Sequence, residues 1–355
     1  MRAVDASSNS GWANRLQHAW LSRGALACLL WPVSLLFGAL TALRRALYRR
    51  GVLRAQQVAA PVVVVGNLIA GGAGKTPVVM ALAEVLRRRG YTPGIVSRGY
   101  GGSAIRVLDL NRSMTAAECG DEPLLLHLRT GAPVVVGRDR VAAARHLLHQ
   151  HRDVDIVISD DGLQHLRLAR TAQVLVFDER GAGNGWLLPA GPLRETLPRS
   201  VPPRSVVVYN ATTPSTPLPG TVARRSLAGA VALADWWRGG LASADALDAL
   251  RGRPLLAAAG VARPERFFMM LRERGLHITP LPLPDHHDYA TLPWPDATPD
   301  VIVTEKDAIK LGAASVGSTR VWVAPLDFAL DVDFDAALVP LLPPPGTPPH
   351  GNAIA

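Results

Sequence analysis

The run PVVVVGN at 61–67 passes through a glycine-rich turn into an apolar helical pattern over 78–89. A β-branched run with no polar alternation reads as a strand covered on both faces. The turn that follows spells Gly71, Gly72, Ala73, Gly74, Lys75 and Thr76, and its place between a strand and a helix makes a Walker A reading specific. Each residue type has a task there. Glycines let successive backbone N–H groups converge on one anion, the helix N-terminus adds partial positive charge, Lys75 brings a point charge, and the Thr76 hydroxyl can reach Mg²⁺. One letter departs from the usual pattern: the first glycine position is Ile69, followed by Ala70.

Further apolar runs at 94–97, 133–137, 155–159, 173–177 and 205–209 alternate with stretches of helical pattern. This order predicts an α/β fold with a mostly parallel P-loop NTPase-type sheet, helices on both faces, and ligands beyond the carboxyl ends of the strands. A Pro-, Thr- and Ser-rich connection at 210–220 is the expected boundary, giving a nucleotide-binding domain over 56–210 and a smaller α/β domain over 211–340. The proline-rich end, 341–355, reads as a disordered tail.

Before the first strand, 25–43 supplies nineteen residues without a charge, close to the roughly 20 needed to cross a bilayer. Arg44, Arg45, Arg49, Arg50 and Arg54 follow, an arrangement that retains the segment, holds the body in the cytoplasm, and leaves Trp12, Trp20, Trp31 and Tyr48 for the interface. Residues 1–55 therefore read as a membrane-associated helical segment, spanning or in-plane; the alternative is a soluble helix packed on the body. The net charge of +9 favours anionic partners, but with no zinc-finger spacing and no aromatic RNA-binding signature, nucleic acid is not among those expected. Two separated cysteines, Cys28 and Cys119, fit a reducing compartment.

Three carboxylate-bearing segments carry the remaining chemistry. DIVISDDG sets Asp160 and Asp161 at the end of a buried strand, where a P-loop fold needs an acid for Mg²⁺; a turn or helix cap has the same letters. GDEP offers Asp121 and Glu122, read from the pattern as a helix N-cap or as the base that phosphorylation of an alcohol requires. In DHHD, His286 and His287 stand between Asp285 and Asp288, suited to a proton relay or to an exposed turn.

Together VGNLIAGGAGKTP, SRGYGG (97–102), GDEPLLL (120–126), VVVGRDRVAAAR (134–145), SDDGLQHLRLAR (159–170), GNGWLLPAGPLRE (183–195), PDHHDY and VTEKDAIK resemble the tetraacyldisaccharide 4'-kinase family, from the apolar helix to about residue 325. That family also lacks the first Walker glycine. The resemblance implies transfer of the ATP γ-phosphate to the 4'-hydroxyl of an acylated glucosamine disaccharide 1-phosphate, forming lipid IVA at the cytoplasmic face of the bacterial inner membrane. It further implies ATP bound along Ile69, Ala70, Gly71, Gly72, Ala73, Gly74, Lys75 and Thr76, with Asp121 as catalytic carboxylate beside His286. Thr76, Glu122, Asp160 and Asp161 would lie at the metal, and Gln164, His165, Arg194 and Glu195 along the active-site wall. With Asp121 and His286 in different expected domains, the site would occupy the cleft between them. The competing reading is a switching ATPase or GTPase with the same GGxGKT loop. It lacks the signature lysine at Ala70 and a guanine-reading N-K-x-D, since TEKD at 304–307 has its lysine one place late.

Overall fold

The computed structural model describes residues 20–103, 106–312 and 315–346. The first half forms α1 (Ala25–Arg49), β1 (Val62–Gly66), α2 (Lys75–Arg88), β2 (Pro93–Ser97), β3 (Leu108–Asp109), α3 (Ala116–Cys119), α4 (Asp121–Thr130), β4 (Val134–Val136), α5 (Arg140–Gln150), β5 (Ile156–Asp160) and β6 (Ala172–Asp178). There follow β7 (Ser205–Asn210), β8 (Thr221–Val222), β9 (Arg224–Leu227), β10 (Val231–Ala232), α6 (Leu233–Trp237), α7 (Ala244–Asp248), β11 (Leu255–Ala259), α8 (Pro264–Glu273), β12 (Ile278–Pro282), β13 (Asp300–Val303), α9 (Glu305–Ala308), β14 (Arg320–Val323), β15 (Leu326–Ala329) and α10 (Val332–Leu338).

The chain divides into two compact units that interleave in sequence. The first takes the described residues up to Val78, then Asp155–Ala223, then Leu330 onward; the second takes Val79–Val154 and Arg224–Ala329. A single cut near residue 210 does not reproduce this division. The segment from 79 to 154 groups with the later residues because side chains far along the chain, Glu305, Lys306 and Lys310, form ion pairs with α4.

In the first unit the strands run in the order β5-β1-β6-β7-β8, every pairing parallel. Val62 aligns with Val157 and Val63 with Ala172. Every residue of β1 and β5 is buried, as expected of a strand covered on both faces. The later chain returns to this unit: Arg204 Nη2 donates to the Leu341 carbonyl at 2.6 Å, and the Gly346 N–H donates to the Asp155 carboxylate at 3.0 Å. The expected disordered tail is thus tied down through 346, while 347–355 lies outside the described residues.

The second unit holds β2 paired in parallel with β4, which pairs antiparallel with β3, and a five-stranded sheet in the order β10-β14-β13-β11-β12. Helix α8 contributes Phe267, Phe268 and Leu271 to one buried cluster with Ala257, Ala259 and Ile302. Burying a Phe of this kind contributes roughly 1.5–3 kcal/mol.

Helix α1 is 25 residues long and is the one helix among those described that is long and apolar enough to cross a membrane. One face packs on the loop before Glu195. There Ser34 Oγ donates to the Leu187 carbonyl and accepts from the Ala190 N–H, both at 2.9 Å, and the Trp31 and Trp186 rings lie 6.2 Å apart. The other face leaves Leu29, Leu36, Leu40 and Leu43 exposed. Trp20 is occupied as well, its indole N–H donating to the Pro189 carbonyl at 2.9 Å, whereas Trp12 lies outside the described residues.

Candidate active site

In the first unit the phosphate loop is built by contacts that reach it from later strands. Ile69 needs no glycine freedom because it is fully buried in an antiparallel bridge with Leu193, and the Ala70 N–H donates to the Pro192 carbonyl at 2.7 Å. Asn67 Nδ2 donates to the Ile69 carbonyl at 2.7 Å, and its Oδ1 accepts from Lys75 Nζ at 3.2 Å, so the lysine is aimed by the end of the strand that precedes the loop. Gly74 is the constrained position. It has φ +69°, and a Cβ there would stand 1.8 Å from the Asn210 amide nitrogen, which donates to the Ala73 carbonyl at 3.2 Å. Gly74→Ala is expected to destabilise the chain by about 1–3 kcal/mol and to weaken nucleotide binding at least about tenfold, checked by thermal unfolding and nucleotide titration.

Arg180 and Asn210, neither singled out in the sequence, complete this loop. Arg180 is pinned by Asp178 through Nε at 3.1 and 3.0 Å, and it donates to the carbonyls of Ala70 at 3.3 Å and Gly72 at 2.8 Å. Carbonyls engaged from behind leave the loop N–H groups to face an anion. A lone arginine just past a strand has no local pattern that marks it; only its place at the carboxyl end of β6 could have drawn notice.

The acid cluster lies in the same unit. Asp160 ends β5 and is buried, and Thr76 is buried in the first turn of α2. Asp161, at φ +49°, sets Oδ1 3.4 Å from both Lys75 Nζ and Arg194 Nη1. Arg194 also donates to Gln164 Oε1 at 3.3 Å, and Gln164 Nε2 donates to Glu195 Oε1 at 3.2 Å. Glu195 in turn pairs with Arg45 of α1 at 2.6 Å. Polar contacts thus connect the apolar helix to the loop lysine step by step. His165 closes a turn on Gly162, and its carbonyl accepts from Arg170.

The second unit brings together Asp121 and His286, 165 positions apart. His286 Nδ1 lies 2.9 Å from Asp121 Oδ2, and Lys310 Nζ approaches the same oxygen at 3.3 Å. The two partners share a compact unit, contrary to the expectation that they come from different domains. Asp121 is the first helical residue, not the cap. The capping position is Gly120, whose φ of +92° and whose close approach to the Tyr100 carbonyl, 2.5 Å from where a Cβ would sit, exclude a side chain. Freed from capping, the carboxylate faces His286. His287 instead makes an edge contact with the Tyr289 ring at 4.8 Å. Glu122, expected at the metal, is ion-paired with Lys306.

Burial alone would raise the Asp121 carboxyl, but the His286 hydrogen bond and the Lys310 charge outweigh it and hold the group below the ordinary carboxylate range. The same bond lifts His286 above its ordinary value against burial. A histidine with a raised folded value contributes stability that is fully present below its unfolded value of about 6.5 and is lost as pH rises through the folded value. The destabilisation caused by His286→Asn should therefore be larger at about pH 6 than at about pH 9, as measured by denaturant unfolding of both proteins. An equal difference at the two pH values would remove the charged pair.

The donors in the first unit suit a magnesium ion. Thr76, Asp160 and Asp161 offer only oxygens, and among the described residues no group of three or more His, Cys, Asp or Glu forms a closed cage. An ion that keeps several waters and takes the rest of its ligands from phosphates fits such a sparse oxygen set.

A family model described as LpxK, tetraacyldisaccharide-1-P 4'-kinase, matches residues 26–342. The tetraacyldisaccharide 4'-kinase of Methylibium petroleiphilum is 56% identical over 337 residues, covering 92% of this chain and 94% of that relative. The enzyme of the same name from Leptothrix cholodnii is 54% identical over 336 residues, covering 93% and 96%. Among solved structures, LpxK from Aquifex aeolicus, described as an "apo" form in complex with ATP, superposes with a TM-score of 0.73 at 26% identity, covering 89% of this chain and 99% of that one.

Proposed function

We infer the reaction from one premise, that the chain belongs to the tetraacyldisaccharide-1-phosphate 4'-kinase family. It transfers the γ-phosphate of ATP to the 4'-hydroxyl of a tetraacyldisaccharide 1-phosphate, giving lipid IVA. The observation that carries the chemistry is the Asp121–His286 contact at 2.9 Å in a chain that also presents Lys75 from a phosphate loop. The matched relatives are kinases, which supports this reading over a switching nucleotidase.

The loop from Ile69 to Thr76 binds the phosphates of ATP, and Lys75 offsets charge on the β- and γ-oxygens. When bound at Thr76, Asp160 and Asp161, Mg²⁺ would spread the negative charge that develops during transfer. Asp121 Oδ2 is held by His286 and Lys310, and Oδ1 receives the acceptor proton. The acceptor oxygen bonds to the γ-phosphorus, its proton passes to Oδ1, and the bridging P–O bond breaks with its electron pair leaving on ADP. A carboxylate this acidic is a weak base, which suits a loose transition state in which the proton moves late and position counts more than basicity. Gln164, His165, Arg194 and Glu195 line the wall beside the loop.

The exposed apolar face of α1, followed by five arginines, supports docking at the cytoplasmic face of the bacterial inner membrane, with the opposite face of the helix packed on the body. The full chain should pellet with membranes and require detergent for release; a chain that stays soluble without detergent would overturn this placement. For the reaction, the purified chain is incubated with Mg²⁺, γ-labelled ATP and tetraacyldisaccharide 1-phosphate in detergent, and products are separated by thin-layer chromatography. Label is expected in the lipid. Label appearing only as inorganic phosphate would overturn the assignment.

A further inference from the structure

The segment TEKDAIK at 304–310 belongs to no phosphate loop, and the reaction as written gives it no task beyond its contact with Asp121. Within the second unit it runs alongside α4. Glu305 pairs with Arg129 near the end of that helix, Lys306 with Glu122 in its first turn, and Lys310 with Asp121 at its first residue. The Lys310 side chain is only 7% exposed. Its ammonium also stands 5.8 Å from the centroid of the Tyr289 ring, which lies on the same loop as His286. Both His286 (φ +61°) and Tyr289 (φ +55°) adopt left-handed backbone, a conformation that persists only where surrounding contacts over-determine it. A buried ammonium is costly unless a carboxylate meets it, so if the position served packing alone, an apolar side chain of similar length would suit it better.

We propose that Lys310 is a positioning residue for phosphoryl transfer: its ammonium anchors Asp121 Oδ2 so that Oδ1 faces the acceptor hydroxyl, while its contact with Tyr289 steadies the loop that delivers His286. The proposal rests on Asp121 acting as the base. A carboxylate held by one oxygen between an imidazole and an ammonium has little freedom to turn, and misplacement of a reacting group by about 1 Å can cost on the order of 10²-fold in rate.

The test is a double-mutant cycle on the full chain in detergent, with kcat, the KM for ATP and the thermal midpoint measured for the wild type, Lys310→Met, Asp121→Asn and the double variant. Lys310→Met is expected to lower kcat about 10- to 100-fold with the KM for ATP and the thermal midpoint near wild type, and to cost nothing further in the Asp121→Asn background. A loss that persists in full in that background, or that follows a fall in the thermal midpoint, would overturn the positioning role, because a merely structural residue acts whether or not the base is present. If Lys310→Met fails to fold, Lys310→Arg, which keeps the charge and moves it, is read in the same cycle with the same two outcomes. Wild-type turnover by Asp121→Asn alone would overturn the base assignment itself. Wild-type turnover by Lys310→Met beside a crippled Asp121→Asn would overturn the Lys310 role and leave that assignment standing.

Discussion

Turnover of the Asp121→Asn variant is expected to fall by about 10²- to 10⁴-fold, with the KM for ATP close to that of the wild type. Asparagine keeps the shape of the side chain at the start of α4 but cannot accept a proton, so the loss should appear in the chemical step. The His286 contact can survive the change because an amide oxygen still accepts a hydrogen bond. The Lys310 ammonium, in contrast, would face a neutral group and lose the charge that offsets its burial. A small drop in thermal midpoint is therefore expected beside the large drop in kcat. Steady-state kinetics on the folded variant decide the matter, and a variant that turns over at the wild-type rate would send the base assignment elsewhere.

Removing the loop lysine should act on the other half of the reaction. Lys75→Ala is expected to cost on the order of 10²- to 10³-fold in kcat, the size associated with losing one preorganised charge at the developing transition state. Lys75 is only 9% exposed and is directed by Asn67 Oδ1 at 3.2 Å and Asp161 Oδ1 at 3.4 Å, so it meets the phosphates already oriented. Lys75→Arg should not restore the rate, because a bulky planar guanidinium does not fit where a compact point charge is held. Turnover at saturating ATP, read beside nucleotide affinity, separates lost catalysis from lost binding. A variant that binds ATP weakly yet turns over normally once saturated would make Lys75 a binding residue only.

Both predictions concern residues that stood out in the chain, but their partners did not. Lys75 follows a strand of four valines and a glycine turn, a pattern complete within about fifteen residues. Asp121 was visible as part of GDEP, where helix-cap statistics competed with catalysis, and only the family resemblance favoured the second. In the structure Gly120 takes the cap and His286 stands beside the carboxylate, an arrangement that supports the second reading. Glu122 shows the opposite case. The family resemblance implied a place for it at the metal, and nothing within GDEP announced the ion pair that Lys306 makes with it.

What the sequence determined by itself is what short-range physics encodes: β-branched runs that must be buried on both faces, glycines that permit a phosphate-binding turn, an uncharged helix ending in arginines, and the α/β order of elements. These depend on neighbours a few residues apart. Tertiary structure alone decided which carboxylate meets which cation, that Arg180 and Asn210 brace the loop from the ends of β6 and β7, that Ile69 replaces a glycine by entering a bridge with Leu193, and that the compact units interleave instead of following one another. Such contacts join positions as far as 191 residues apart, as Gly346 and Asp155 are. No local periodicity marks them, because a hydrogen bond or ion pair depends on where the folded backbone places two groups, and that is settled only when the strands have paired and the cores have closed.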